Sequence, residues 1–237
     1  MMILTIDIGN SGITLGVFDK QNIIKTAWLK ADINLSQKDY QLAITKILHQ
    51  YKFEKCIISS VYDEITDRIT NAAEKSFNIK PYILTHNSKC GITLDVDKPE
   101  SVGADRIANV CAAYQKYSTA CIIIDIGTAT TFDIVNSKGK FTGGVIMPGI
   151  KMQLKALHNY TSKLPLIDFE IPQNYTCKNT KDAILVGVVS GHCKAIEGLI
   201  KTYRAELNEP AKVILTGGLA KQIANYIAEK EINSNKT

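Results

Sequence analysis

One short pattern occurs twice in this chain, and it constrains the fold more than anything else in the sequence. Asp7-Ile8-Gly9-Asn10 is echoed by Asp125-Ile126-Gly127-Thr128. Each copy closes an apolar, β-branched run, Ile3-Leu4-Thr5-Ile6 in the first and Cys121-Ile122-Ile123-Ile124 in the second. A second strand then follows in each, Thr14–Phe18 and Thr131–Val135, and a third, Ile23–Leu29 and Phe141–Met147. Short β-branched spans separated by Gly, Asn and Asp suit a three-stranded antiparallel meander. A repeat on this scale predicts two structurally related halves.

After each meander the pattern turns helical. Leu42, Ile44, Ile47 and Leu48 recur at helical spacing within 36–51. Lys55–Ser60 reads as a buried strand, 62–77 as a helix, 81–84 as a strand and 100–117 as a helix. The second half offers helices over 149–160 and 180–207, then the strand Lys212-Val213-Ile214-Leu215. Strands alternating with helices predict α/β layers around mixed sheets. The expected domains are residues 1–117 and 118–237.

The loops suggest phosphate chemistry. Gly9 and Gly12 allow a sharp turn and close approach of backbone to a ligand. Backbone amides in such a turn can cradle phosphate oxygens. Asn10, Ser11 and Thr14 add side-chain donors. Asp7 can hold Mg²⁺ directly or through water, since that ion favours carboxylate and phosphate oxygens and keeps several waters. A single copy is more often a plain hairpin turn; two copies make a device able to grip phosphates from both sides.

Composition excludes other classes. The net charge of +5 comes almost wholly from lysines, with arginine only at 68, 106 and 204. The lysines are scattered, not striped among aromatics, which argues against nucleic acid as the partner. No uninterrupted apolar run approaches the roughly 20 residues that span a bilayer. The first residues reach Asp7 too early for a signal peptide, so a cytoplasmic location is expected. The six cysteines form no C-x-x-C pair and read as reduced, mostly buried thiols.

The paired loops resemble those of the duplicated ribonuclease-H-like superfamily, which includes actin and the sugar and acetate kinases. That resemblance implies two tandem ribonuclease-H-like (actin-like ATPase) domains, each a mixed five-stranded sheet flanked by helices. Thr216-Gly217-Gly218 falls where such kinases pack adenosine against bare backbone. Val102-Gly103-Ala104-Asp105-Arg106, Gly143-Gly144-Val145-Ile146-Met147-Pro148-Gly149 and Asn179-Thr180 then narrow the choice. With the two loops, and in this order, they resemble type III pantothenate kinases over about residues 2 to 220.

The resemblance implies ATP-dependent phosphorylation of pantothenate, the first step of coenzyme A synthesis. It implies Asp105 as the catalytic base and Gly103, Ala104, Asp105 and Arg106 as substrate-binding residues. Thr180 is similar to a substrate-binding threonine donated across a homodimer interface, although in isolation a threonine there is by default a helix cap. Asp7, Ile8, Gly9, Asn10, Ser11, Gly12, Ile13 and Thr14 correspond to an ATP-binding loop, with Thr128 a further ATP-binding hydroxyl. Asp125 corresponds to the ligand of an activating monovalent cation, K⁺ or NH₄⁺, and Mg²⁺ accompanies ATP.

Two departures from the family pattern stand out. The family has a tyrosine that packs on pantothenate in a Y-x-N-P context, whereas this chain has Val96, Asp97, Lys98 and Pro99. Relatives also continue past T-G-G-L-A through a strand and a closing helix, whereas this chain ends soon after in the polar stretch 229–237. Either a closing element is missing or a dimer covers the gap. These departures support two alternatives: a weakly active nucleotide-binding accessory protein on the same fold, and a kinase of a related small hydroxy acid. The histidines show no metal-ligand spacing and carry no role at this level.

Overall fold

The computed structural model describes residues 1–227 and the backbone of 232–234. By packing, the chain divides into two compact units. The first is Met1–Lys89 with Lys98–Ala108, and the second is Cys90–Asp97 with the chain from Asn109 onward. The changeover lies inside a helix, at Ala108–Asn109, ahead of the 117–118 boundary expected from sequence.

In the first unit, β1 (Met2–Ile8), β2 (Gly12–Asp19) and β3 (Asn22–Lys30) form the antiparallel meander. After α1 (Gln37–Leu48), β4 (Lys55–Ser60) returns parallel to β1; after α2 (Asp63–Phe77), β5 (Tyr82–Ile83) pairs parallel with β4. The sheet order is β3-β2-β1-β4-β5. α1 begins where Ser36 and Asp39 form a reciprocal capping box, satisfying two amides that the first turn leaves open. α2 ends at Asn78, whose left-handed backbone (φ 55°) stops the helix.

Alternation along the strands decides which face is core. Leu4, Ile6, Ile8, Ile13, Leu15, Val17 and Ile58 are buried against Tyr40, Ile44, Ile65 and Ile69 of the two helices. Each such side chain contributes about 1.5–3 kcal/mol relative to exposure. The opposite face carries Thr5, Asp7 and Thr14.

The second unit repeats this plan. β7 (Cys121–Ile126), β8 (Ala129–Val135) and β9 (Lys140–Pro148) form the meander, and β10 (Lys212–Thr216) pairs parallel with β7. The duplication extends to a defect. The β2–β3 register shifts between Val17 and Phe18, and the β8–β9 register shifts between Ile134 and Val135. Counted from the strand pairs Asp7–Thr14 and Asp125–Thr131, these are the same position.

The order of the second sheet is β11-β10-β7-β8-β9-β6. Five strands match the first sheet. The sixth, β6 (Thr93–Leu94), joins the edge through β9 and draws residues 90–97 into this unit. Its two residues are too few to show alternation in the sequence. β11 (Ile232–Ser234) lies in the stretch where a closing element is in question, and it pairs parallel with β10. α7 (Ala220–Ile223) precedes it. The rest of that stretch lies outside the described residues.

α3 (Ala104–Tyr117) and α4 (Ile150–Asn159) end near their expected limits. The expected helix over 180–207 is continuous but not uniform. It runs as α5 (Thr180–Leu185), a π-helical turn (Val186–Ser190) and α6 (Gly191–Leu207). This helix is long and apolar enough to cross a membrane by composition alone. Its apolar residues Ile184, Leu185, Val188, Val189, Ile196 and Ile200 are instead the core of the second unit.

Candidate active site

In the first unit the site is built at the C-terminal ends of β1 and β4, where parallel strands present ligand-binding loops. Asp7 is the penultimate residue of β1, on its exposed face. The turn after it is closed by the Gly9 amide, which donates to the Gly12 carbonyl at 2.9 Å. A side chain at Gly12 would land on the indole of Trp28, so the loop's backbone lies directly beneath the one tryptophan of the chain.

Val61 links this loop to the predicted acceptor-side residues. Its amide donates to the Ile8 carbonyl at 3.0 Å, and its Cγ1 would lie 3.3 Å from a Cβ at Gly103. Asp105 stands in the first turn of α3, where a carboxylate is favoured by the open amides. One carboxylate oxygen accepts from the Arg106 amide at 2.7 Å. The same oxygen, Oδ1, would lie 2.5 Å from a Cβ at Gly103. Gly103 is therefore the space the carboxylate occupies. Ala104 is buried. Asp7–Thr14, Gly103, Ala104, Asp105 and Arg106 all belong to this unit.

The second unit holds the other loop. Asp125 is half-buried, and the Asn109 amide nitrogen donates to its Oδ2 at 3.0 Å. The Gly127 amide donates to the Ala129 carbonyl at 3.0 Å, the counterpart of the Gly9 bond. This loop is one residue shorter than the first, with Ile126 paired to Thr130 where Ile8 pairs with Ile13. Thr128 is exposed at its tip, and the Gly149 amide donates to its carbonyl at 3.1 Å. A Cβ on Gly149 would lie 2.5 Å from the Gly127 carbonyl oxygen, which explains the glycine after Met147-Pro148.

The T-G-G segment divides its work. Gly217 (φ +94°) packs on Asp125 and Ile126, while Gly218 faces open space among the described residues.

Sequence reasoning missed a buried network behind this loop. His192 is 2% exposed; its Nε2 lies 3.0 Å from Thr130 Oγ1 and its Nδ1 lies 2.8 Å from Gln153 Nε2. The Gln153 amide also donates to the Pro148 carbonyl at 2.8 Å. Because Gln153 is a donor, Nδ1 accepts, and the proton sits on Nε2 and is donated to Thr130. Burial pushes the His192 pKa down, in keeping with a neutral ring. The π-turn just before it is the local irregularity of the kind often found at functional sites. A lone histidine in an apolar helix gives no hint of these partners.

A depressed histidine pKa has a testable sign. The unfolded chain takes up this proton first, near the ordinary value of 6.5. The contribution of His192 to stability is thus present above pH 6.5 and is lost as the pH falls through and below it. Thermal unfolding midpoints measured from pH 7.5 to 5 are expected to fall, and His192→Gln to flatten part of that fall. Thr130→Val, which leaves the Nε2–H without its acceptor, is expected to cost about 1–3 kcal/mol at pH 7.5.

Thr180 is the exposed first residue of α5, and Asn179 is the cap, accepting from the Asp182 amide at 2.9 Å. The default reading of Thr180 as a cap is therefore corrected. It borders a groove of about 1040 Å³ lined by Ala156, Leu157, Tyr160, Ile184 and Val188. Val96 is half-buried in the second unit, beside Gly143 of β9.

Among the described residues, no group of three His, Cys, Asp or Glu side chains is placed to hold a metal unaided. A cation that takes most of its ligands from phosphate and water fits the single carboxylate of Asp7.

Comparison with known proteins identifies the family. The family model described as type III pantothenate kinase matches residues 3–202. A type III pantothenate kinase of Citrifermentans bemidjiense is 37% identical over 228 residues, covering 94% of this chain and 90% of the relative. Among solved structures, a Campylobacter jejuni protein assigned to the Baf family of transcriptional activators superposes with a TM-score of 0.61 at 21% identity, covering 98% of this chain and 91% of that one. An acetate kinase from Entamoeba histolytica superposes at 0.52 with 10% identity, covering 97% and 86%, which shows a shared fold. On the match over residues 3–202 and this level of identity, the chain belongs to the type III pantothenate kinase family.

Proposed function

We propose that this protein transfers the γ-phosphoryl group of ATP to pantothenate, giving 4'-phosphopantothenate at the first step of coenzyme A synthesis. The observation that carries the proposal is the seating of Asp105. A carboxylate held over Gly103, in the same unit as the Asp7 loop and joined to it through Val61, suits a base working beside a phosphate site. Asp105 orients the primary hydroxyl of pantothenate and takes its proton as the hydroxyl oxygen bonds to the γ-phosphorus in line. The bond from that phosphorus to the ADP oxygen breaks. Arg106, with Gly103 and Ala104, binds the acceptor. The backbone and hydroxyls of Asp7–Thr14, and Thr128, bind ATP.

Asp7 would hold Mg²⁺, which when bound neutralises phosphate charge. Asp125, braced by Asn109, would hold the monovalent cation, K⁺ or NH₄⁺. The proposed assembly is a homodimer in which Thr180 reaches the partner's acceptor site. The open apolar groove beside Thr180 supports that assembly. Residues 1–117 and 118–237 are proposed as the two ribonuclease-H-like domains and the cytoplasm as the location.

Coupled measurement of ADP release tests the reading. Release is expected only with pantothenate present and to rise when K⁺ or NH₄⁺ is added. ADP release that ignores pantothenate would sink the proposal and favour an accessory nucleotide-binding role, for which Val96 in place of the family tyrosine is the motive.

A further inference from the structure

Strand register places four side chains in one row across the first sheet. Trp28 pairs with Thr14, Thr14 with Asp7, and Asp7 with Ser59. Directly paired residues point to the same face. The row therefore runs Trp28, Thr14, Asp7, Ser59 on the face opposite the core. Its first three members are exposed, and Ser59 is 9% exposed.

Ser59 is anomalous. Its Oγ is buried and has no hydrogen-bond partner among the described residues. The neighbouring Ser60 is fully engaged: its Oγ lies 2.6 Å from Thr66 Oγ1 and accepts from the Tyr62 amide at 3.3 Å. A buried hydroxyl without a partner is unfavourable, and natural proteins retain few of them. Alanine would fill the same place without that penalty. Adjacent strands lie about 4.8 Å apart, so Ser59 is the direct neighbour of Asp7 on β4.

We infer that Ser59 is a further nucleotide-binding residue, whose hydroxyl donates to a phosphoryl oxygen of ATP held at the Asp7 loop. The inference rests on the kinase reading above. The ligand supplies the acceptor that the protein does not, and the orphaned state is that of the unliganded protein. Thr14, on the other flank of Asp7, belongs to the first loop already assigned to ATP. Ser59 extends that loop's grip onto β4, a strand no sequence motif connects with phosphate.

The test uses the full chain, Ser59→Ala, and the non-hydrolysable analogue AMP-PNP with Mg²⁺. Binding is read by calorimetry and by the emission of Trp28, whose indole covers Gly12 of the same loop. A hydrogen bond to a charged oxygen predicts a dissociation constant raised about tenfold or more. The unliganded variant is expected to unfold at a temperature equal to or above that of the parent, because the orphaned hydroxyl is gone. Thermal stabilisation by the analogue is expected to shrink. A lower unliganded melting temperature with unchanged affinity would overturn the inference, showing a structural hydroxyl. So would unchanged affinity for AMP-PNP combined with a raised KM for pantothenate alone. Failure of the parent protein to bind AMP-PNP would instead overturn the kinase reading itself.

Discussion

Asp105→Asn is expected to lower kcat for pantothenate phosphorylation by about 10²–10⁴, the usual worth of a positioned general base. The substitution is isosteric and keeps an oxygen to accept from the Arg106 amide, so the turn at the start of α3 should persist. Thermal stability should change little, and KM for ATP should be nearly unaffected. A kcat within a factor of a few of the parent would remove Asp105 from the role of base. Gly103→Ala offers a second route to the same point. Its methyl would lie 2.5 Å from Oδ1 of Asp105 and 3.3 Å from Val61. The carboxylate is the movable partner, so it swings away and activity falls while the carboxylate remains present. Loss of activity in both variants ties the effect to the placement of the group, not only to its charge.

Much of this was legible in the sequence because the information is local. Periodicity predicts β4 at its observed limits, Lys55–Ser60, and α4 to within a residue at each end. The doubled Asp-Ile-Gly turn predicts two meanders, and even their shared bulge is consistent with a duplication. What escaped is what depends on contacts between distant segments. β6 has two residues and exists only because β9 accepts it. Ser59 is one serine of a pair until strand register sets it beside Asp7. His192 is joined to Thr130 across 62 residues and to Gln153 across 39. The T-G-G segment is visible in the sequence, but its two glycines have different surroundings, and only three-dimensional placement separates them.

Gly217→Ala and Gly218→Ala are therefore expected to give opposite results despite being neighbours. Gly217 has φ +94°, outside the region open to residues with a Cβ. A methyl there would also lie 2.6 Å from the Ile126 amide nitrogen and collide with Oδ1 of Asp125. The Ile126 amide is backbone, fixed in β7 between β8 and β10, and cannot turn aside as a side chain can. Strain and clash together are expected to cost about 3 kcal/mol or more. For a chain of this size that is a drop of roughly 6–12 °C in the melting temperature. Asp125 would also be displaced, so the activation by K⁺ proposed above is expected to weaken in whatever protein remains folded. At Gly218 a methyl meets nothing within 4 Å among the described residues, and the backbone there is not left-handed. Its melting temperature should match the parent's to within a degree or two. If adenosine packs against this stretch of bare backbone, the methyl intrudes on the ligand, and the KM for ATP rises while stability holds. Equal destabilisation by both substitutions would show that the turn acts as one rigid piece, and the separate roles given to the two glycines would be wrong.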